Sequence, residues 1–456
     1  MEYVELSGLA WALHLLAAFN PISELGMQLT KLSIQNYKSL RGIEIMPRDF
    51  SVIIGRNSSG KSNFADAIEF LSLAYADGLE HAVARKGGYE NLAHRKEKRS
   101  RSAIVFSIEM QAELSEDDAA AAHLVHTVKN GPISRWTFRH QFEFRAYGEG
   151  IRSDFKIVTE KLDVIKEPIV LDKIASGKYE WINIERKNDG RVAVTGDLES
   201  QLSRAVLFDP KYWTAEGLSD FVLPPTELLF VMPFFRPRVV GRFTSWIKNF
   251  AVFQLSPDVS RHPGVPTPNP HLSARGENLP AVIDWMQRKQ PKDWKSILQA
   301  MRDIVPELQD ISVNYLHTRT LGLFFHEAKI GRPWTAEEVS DGTIRALSIL
   351  VACFDPRNTA LIVEEPENSL HPWIIKEIMT HLRRLSEKKL VMVTSHSPVV
   401  LNMLSPEQVW VIYKTDGETN IKPLVQFDDN LLGDWESGKY KLFEYLESGY
   451  VSEAVP

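Results

Sequence analysis

The stretch "FSVIIGRNSSGKSNFADAIEFLSLAYADGL", starting at Phe50, constrains the fold more than any other. Its first residues form a short, continuous apolar run, as a strand buried on both faces should. From Asn63 the spacing turns amphipathic and predicts a helix. Between them stand Gly55, Arg56, Asn57, Ser58, Ser59, Gly60, Lys61 and Ser62, with the spacing G-x-x-x-x-G-K-S. The glycines let the backbone wrap a phosphate, and the N–H groups and helix N-terminus that follow bind it. This is the P-loop pattern, in which Lys61 reaches the β- and γ-phosphates of a nucleotide and Ser62 holds Mg²⁺. A buried strand feeding such a turn needs strands beside it and helices over it, so the expected fold is α/β.

The rest of the chain supports that class. "QLTKLSIQNYKSLRGIEI" alternates like a half-buried strand pair. "AIVFSIEM", "RWTFRHQFEFRAY" and the hairpin "YEWINIERKNDGRVAVTG" make a β-rich stretch. A Pro-rich region follows, then two helical pieces in "IDWMQRKQPKDWKSILQAMRDIVPEL" and strands in "ISVNYLHTRTLGLFFHEA". The last third alternates helix and strand, which implies a mostly parallel, covered sheet. The expected division is 1–26 as an N-terminal extension, 27–110 as the N-lobe carrying the P-loop, 111–310 as a mixed β/helical insertion, 311–425 as the C-lobe and 426–456 as a tail. No heptad array separates the two α/β parts.

Composition excludes several classes. One cysteine, Cys353 in an apolar run, rules out a disulfide framework or a zinc hook within the chain and reads as a small core residue. The acidic, short apolar start at residues 1–26 suits neither export nor membrane insertion, so the expected location is the cytoplasm, with no membrane contact. A net charge of -6 means that any nucleic-acid contact must come from a local patch. "HRKEKRSR", His94 to Arg101, is the candidate patch for DNA, with Arg236 and Arg238 a weaker one; such runs are more often solvated loops. Arg135 to His140 matches an RxxxxH ribonuclease spacing, but on a strand-like segment, where it reads as coincidence.

Three further stretches carry chemistry. "ALIVEEPENSLHP" ends an apolar strand in Glu364 and Glu365, where a first carboxylate can hold Mg²⁺ and a second can activate water. "VTSHSP" ends another strand at Ser395 and His396, placing an imidazole where it could contact a γ-phosphate. "EEVSDGTIRAL" is a turn feeding a helix, with Ser340, Asp341 and Gly342 at its start, and offers a second anion cradle.

The order of these four motifs resembles the ABC-type ATPase heads. The chain looks like the compact, prokaryotic SMC/RecF/OLD-like group, in which a split head encloses an insertion. "LSIQNYKSL", "RKGGYENLAHR" and "GENLPAVIDWM" resemble further segments of that group, and the likeness covers Met27 to about Lys414. About forty residues follow "QVWVIYK", too few for the TOPRIM nuclease domain of the OLD enzymes. The resemblance implies ATP and Mg²⁺ as ligands. It puts Lys38 and Ser39 at the α-phosphate or base, and Asn63 beside the P-loop. Glu364 takes the Walker B place as a metal ligand with Ser62, Glu365 the catalytic place, Glu367 to Leu370 the D-loop, and His396 the switch histidine. Ser340, Asp341 and Gly342 replace the common Ser-Gly-Gly signature, which in this group completes the ATP site of a second head. The implied protein is a dimeric ATPase that acts as sensor or scaffold for a separate effector, a nuclease or toxin, in anti-phage defence. The alternatives are a RecF-like ATPase that clamps DNA, and a nucleotide-locked structural protein with negligible turnover.

Overall fold

The computed structural model describes residues 26–94, 102–115, 133–147, 154–170, 173–174, 179–197, 222–229, 239–448 and 451. Its strands before the central region are β1 (Gln28–Tyr37), β2 (Leu40–Ile45), β3 (Phe50–Ile54), β4 (Ile104–Ser115), β5 (Ile133–Tyr147), β6 (Asp154–Val170), β7 (Lys173–Ile174), β8 (Glu180–Arg186) and β9 (Val192–Gly196). After it come β10 (Phe250–Phe253), β11 (Leu308–Tyr315), β12 (Leu321–Glu327), β13 (Trp334–Thr335), β14 (Ala360–Glu364), β15 (Leu390–Thr394), β16 (Val409–Thr415) and β17 (Glu418–Pro423).

One 14-stranded sheet runs β10-β14-β15-β3-β16-β17-β2-β1-β4-β5-β6-β8-β9, with β7 attached to β6. The section β10-β14-β15-β3-β16 is parallel. From β1 onward the sheet is an antiparallel meander. The expected α/β class with added β-strands is therefore what the chain adopts. Strand β4 crosses residue 110, and β10 lies at the end of the parallel section, so the stretch expected as an insertion shares one sheet with the strands on either side of it.

The parallel strands are buried on both faces, which is why they read as unbroken apolar runs. Their side chains alternate between two cores. Ile53, Ile362, Met392 and Ile412 join the helix Lys61–Asp77 and the inner face of the meander. Val52, Ile54, Val363, Val393 and Val411 join the helices Leu279–Lys289, Pro291–Ile304 and Asp341–Phe354. Cys353 lies in this second core, where burial pushes its thiol up to about 12 and leaves it a packing residue. Pro291 opens the second of the two central helices at the break expected from the sequence. Arg135 and His140 point to opposite faces of β5: Arg135 pairs with Glu113 at 3.0 Å, while His140 is fully buried, so they form no ribonuclease site. Among the described residues, no helix is long and apolar enough to cross a membrane.

Candidate functional site

Register brings the motifs together. Glu364 of β14 lies opposite Thr394 of β15, and Thr394 lies opposite Ile53 of β3. Three strands thus end at one level, and the P-loop, Glu365 and Ser395–His396 leave side by side from the carboxyl edge of the sheet.

Two glycines let the P-loop lie against β16 and β17. A Cβ on Gly55 would sit 2.0 Å from the Ile412 carbonyl oxygen. Gly60 has φ +117°, and a Cβ there would meet Thr419 Oγ1 at 2.5 Å. Thr419 Oγ1 bonds the Ser59 carbonyl at 2.9 Å and lies 2.7 Å from the Ser39 hydroxyl, which also accepts from Asn63 Nδ2 at 2.7 Å. Ser39 and Asn63 therefore stand beside the loop. Lys38 occupies the β1–β2 turn with φ +48°, and its ammonium is 2.5 Å from Asp66 on the P-loop helix. Arg56, Asn57 and Ser58 are exposed along the rim, and Ser58 also has positive φ.

Lys61 Nζ lies inside the loop and donates to the carbonyls of Gly55 (2.7 Å) and Arg56 (3.2 Å). Burial holds its pKa below the ordinary lysine range, against the opposing pull of Glu365, Glu367 and Glu364. Ser62 Oγ donates to Glu364 Oε2 at 3.0 Å. Burial pushes the Glu364 carboxyl above its usual range, with Glu365 adding to the effect and the Ser62 bond opposing it. Hydroxyl and carboxylate oxygens so placed are hard donors, the kind Mg²⁺ takes. The Ser59 hydroxyl is buried in the same loop and has no hydrogen-bond partner among the described residues. These features fit a phosphate-bearing ligand with a cation.

Glu365 leaves the strand through a left-handed backbone, φ +44°, held by its N–H bond to the Thr394 carbonyl at 2.9 Å. A non-glycine residue in that region is strained by about 1–2 kcal/mol, a feature that clusters at functional sites. The turn sends neighbouring carboxylates different ways. Glu364 faces Ser62, whereas Glu365 Oε1 lies 3.6 Å from His396 Nδ1 and its Oε2 accepts from Asn368 at 2.9 Å. Glu365 and His396 are both partly exposed.

The Ser340 turn is built differently. Ser340 caps the helix Asp341–Phe354, its Oγ accepting the Thr343 N–H at 3.2 Å. Gly342 is where the turn meets the D-loop: a Cβ would stand 3.1 Å from the Ser369 carbonyl oxygen. Asp341, the departure from Ser-Gly-Gly, is paired with Arg261. Ser340 and Asp341 are exposed, and among the described residues no hydrogen bond joins this turn to the P-loop of its own chain.

Sequence reading missed Arg345, Glu367's contacts and Thr419. Arg345 is buried and donates to the carbonyls of Glu365 (2.6 Å), Glu364 (3.4 Å) and Leu255, tying the Ser340 helix to the two carboxylates' backbone. An arginine inside the apolar run "TIRALSILVACF" was the available signal. Thr419 had none. One expectation is corrected at His94, which was grouped with the basic patch. It is buried, and its Nδ1 lies 2.6 Å from the Lys38 carbonyl, so it packs under the β1–β2 turn and faces no nucleic acid. Residues 95–101 of that patch, Arg236, Arg238 and the extension up to residue 25 lie outside the described residues.

Two family models match. The one described as "AAA ATPase domain" covers residues 27–126, and the one described as "AAA domain, putative AbiEii toxin, Type IV TA system" covers 238–402. The first spans the P-loop and the second runs from before the Ser340 turn to beyond His396. No curated protein matches the sequence. Similar solved structures include an SMC head bound to the C-terminal winged-helix domain of ScpA (12% identity, 86% of this chain and 96% of that one, TM-score 0.43). The SMC head domain from Thermotoga maritima is similar at 12% identity over 87% and 98% of the two chains, TM-score 0.35. The Smc head with an extended coiled coil bound to the C-terminal domain of ScpA, from Pyrococcus furiosus, is similar at 12% identity over 91% and 100%, TM-score 0.41. With the P-loop and both strand-end motifs joined in one cradle and an AAA match on each of its halves, the chain is a P-loop ATPase.

Proposed function

We propose that two copies of this chain pair head to head around ATP and Mg²⁺, and that the pairing gates a separate effector protein. The observation that carries it is the split between the motifs. P-loop, Glu364, Glu365 and His396 share one cradle, while the capped Ser340 turn is exposed and, among the described residues, its helix is bonded to them only through Arg345. A second copy can therefore use that turn. Gly55 to Ser62 wrap the phosphates, Lys61 contacts the outer ones, Lys38, Ser39 and Asn63 border the other end, and Ser340, Asp341 and Gly342 close the site from the partner. Ser62 and Glu364 would hold Mg²⁺, which when bound would neutralise phosphate charge. Glu365 takes the proton from the attacking water, and His396 orients toward the outer phosphate.

The proposed units are those expected from the sequence: 27–110 and 311–425 as the head, 111–310 as the insertion, 1–26 and 426–456 as flanking segments. A place in a toxin–antitoxin type of system draws support from the description of the model matched at 238–402, and the separate toxin or nuclease effector is part of the proposal. The cytoplasm is the proposed location.

A mixing experiment tests the composite site. Lys61→Ala removes a head's own phosphate contact, and Ser340→Arg blocks what it lends to its partner. Each variant alone should be inactive. Mixed, they form a pair with one intact site, and ATPase activity should return to about a quarter of wild type, since half of random pairs carry one good site of two. No recovery in a mixture shown to form mixed pairs would refute the composite site. Ser340→Arg turning over normally as a monomer would do the same.

A further inference from the structure

We propose that Glu367 is a positioning residue for hydrolysis, holding the turn that presents His396 to Glu365. The inference rests on the ATPase assignment and needs no second head. Glu367 Oε1 accepts two bonds from the neighbouring strand end, the Ser395 hydroxyl at 2.7 Å and the His396 backbone N–H at 3.1 Å. Ser395 is fixed in turn: its N–H donates to the Ile53 carbonyl at 3.1 Å, at the root of the P-loop, and its Oγ accepts the Ser397 N–H at 3.0 Å. The other carboxylate oxygen, Oε2, is sealed from solvent and has no hydrogen-bond partner among the described residues. A carboxylate with one oxygen doubly bonded and one sealed is costly for a loop that needs only closing.

The turn that carries Glu367 also holds the other member of the pair. It closes through the Asn368 N–H to the Glu365 carbonyl (3.2 Å) and the Leu370 N–H to the Glu367 carbonyl (3.1 Å). From it, Asn368 Nδ2 bonds the Glu365 carboxylate at 2.9 Å. One short turn thus grips Glu365 by its side chain and His396 by its backbone. The 3.6 Å separation of Glu365 Oε1 and His396 Nδ1 is set by this turn. Beyond the last paired residues, Glu364 and Thr394, the Glu365 backbone is held by the Thr394 carbonyl and Arg345, whereas the His396 N–H is held by Glu367.

A role through His396 has a signature that loop stability lacks. Glu367→Gln keeps an oxygen that accepts both bonds, whereas Glu367→Ala loses them. Single-turnover and steady-state hydrolysis would be measured for both, in wild-type and His396→Ala backgrounds. Glu367→Ala should lower kcat about 30-fold with KM for ATP within about threefold of wild type, since misplacement of reacting groups acts on the chemical step. Glu367→Gln should retain kcat within about fivefold. In the His396→Ala background, Glu367→Ala should cost about threefold or less, as residues acting as one unit do. The proposal fails if the two losses multiply in full, if Gln is as damaging as Ala, or if Glu367→Ala leaves kcat unchanged. Should Glu367→Ala not fold, Ser395→Ala removes one of the same bonds. Its smaller kcat loss must likewise vanish without His396, and persistence of that loss would overturn the proposal.

Discussion

Asp341 poses a problem of charge. At the first position of a helix it suits the helix dipole, yet in the proposed pair it sets a carboxylate beside the partner's phosphates. Arg261 resolves it. Its side chain is mostly buried, pairs with Asp341, and is steadied by the Ala336 carbonyl at 3.3 Å. Arg261→Ala should therefore lower ATPase activity about tenfold, by leaving Asp341 unneutralised at a desolvated contact. Adding Asp341→Gly should remove most of that loss, so that Arg261→Ala costs little when measured against Asp341→Gly. Hydrolysis rates of the four proteins check this, and an undiminished loss would show that Arg261 acts otherwise. Asp66 shows charge arranged for stability. Burial favours its neutral form, but hydrogen bonds from Lys38, Lys86 and Tyr37 outweigh that and hold its carboxyl below the usual range. Its contribution is thus present above about pH 4 and is lost as pH falls through the lower folded-state value. Asp66→Asn should cost about 1.5–3 kcal/mol at neutral pH, with the gap to wild type closing on acidification in urea-unfolding curves.

The P-loop helix is held from both sides of the molecule. Its first turn faces the cradle, while Tyr75 near its end contacts His140 on β5. Behind His140 lies Glu160 of β6, at 3.3 Å, and then Arg186 of β8, 3.2 Å from Glu160, all nearly inaccessible. Glu160 also accepts the Leu229 N–H at 2.7 Å, and Arg186 donates to the carbonyls of Pro224 and Glu227. This network fastens the 222–229 segment and the P-loop helix to the meander. Removing one member leaves a buried charge unpaired, so Glu160→Ala should destabilise by about 3–5 kcal/mol, read from thermal or denaturant unfolding. A loss below about 1 kcal/mol would mean that the site relaxes or admits water.

The whole molecule places a hydrolytic cradle on one sheet edge and an exposed capped turn beside it, linked by Arg345. With two copies, ATP binding should drive closure and hydrolysis should release it. Glu365→Gln should bind ATP, lose turnover by about 100-fold or more, and accumulate as a closed pair on sizing chromatography with light scattering. Turnover at the wild-type rate would remove Glu365 from the role of base.

At this scale the two sources of information separate. The sequence by itself determined the α/β class, the P-loop and the strand-end carboxylates. These are local: a buried strand, a Gly-rich turn and a helix start impose residue types at fixed spacing, because backbone N–H groups and apolar faces leave few options. Even the break at Pro291 and the hairpin at "KNDG" were legible for that reason. Only the tertiary structure decided that β10 joins the parallel sheet, that Thr419 lies against the P-loop, and that Arg261 meets Asp341, Arg345 the Glu365 carbonyl and Glu367 the Ser395 hydroxyl. Their partners lie tens to hundreds of residues away, and a single sequence carries no mark of which carbonyl or carboxylate a side chain will meet. His94 makes the same point in reverse: within the basic run it looked like surface, but three-dimensional packing against the Lys38 turn made it interior.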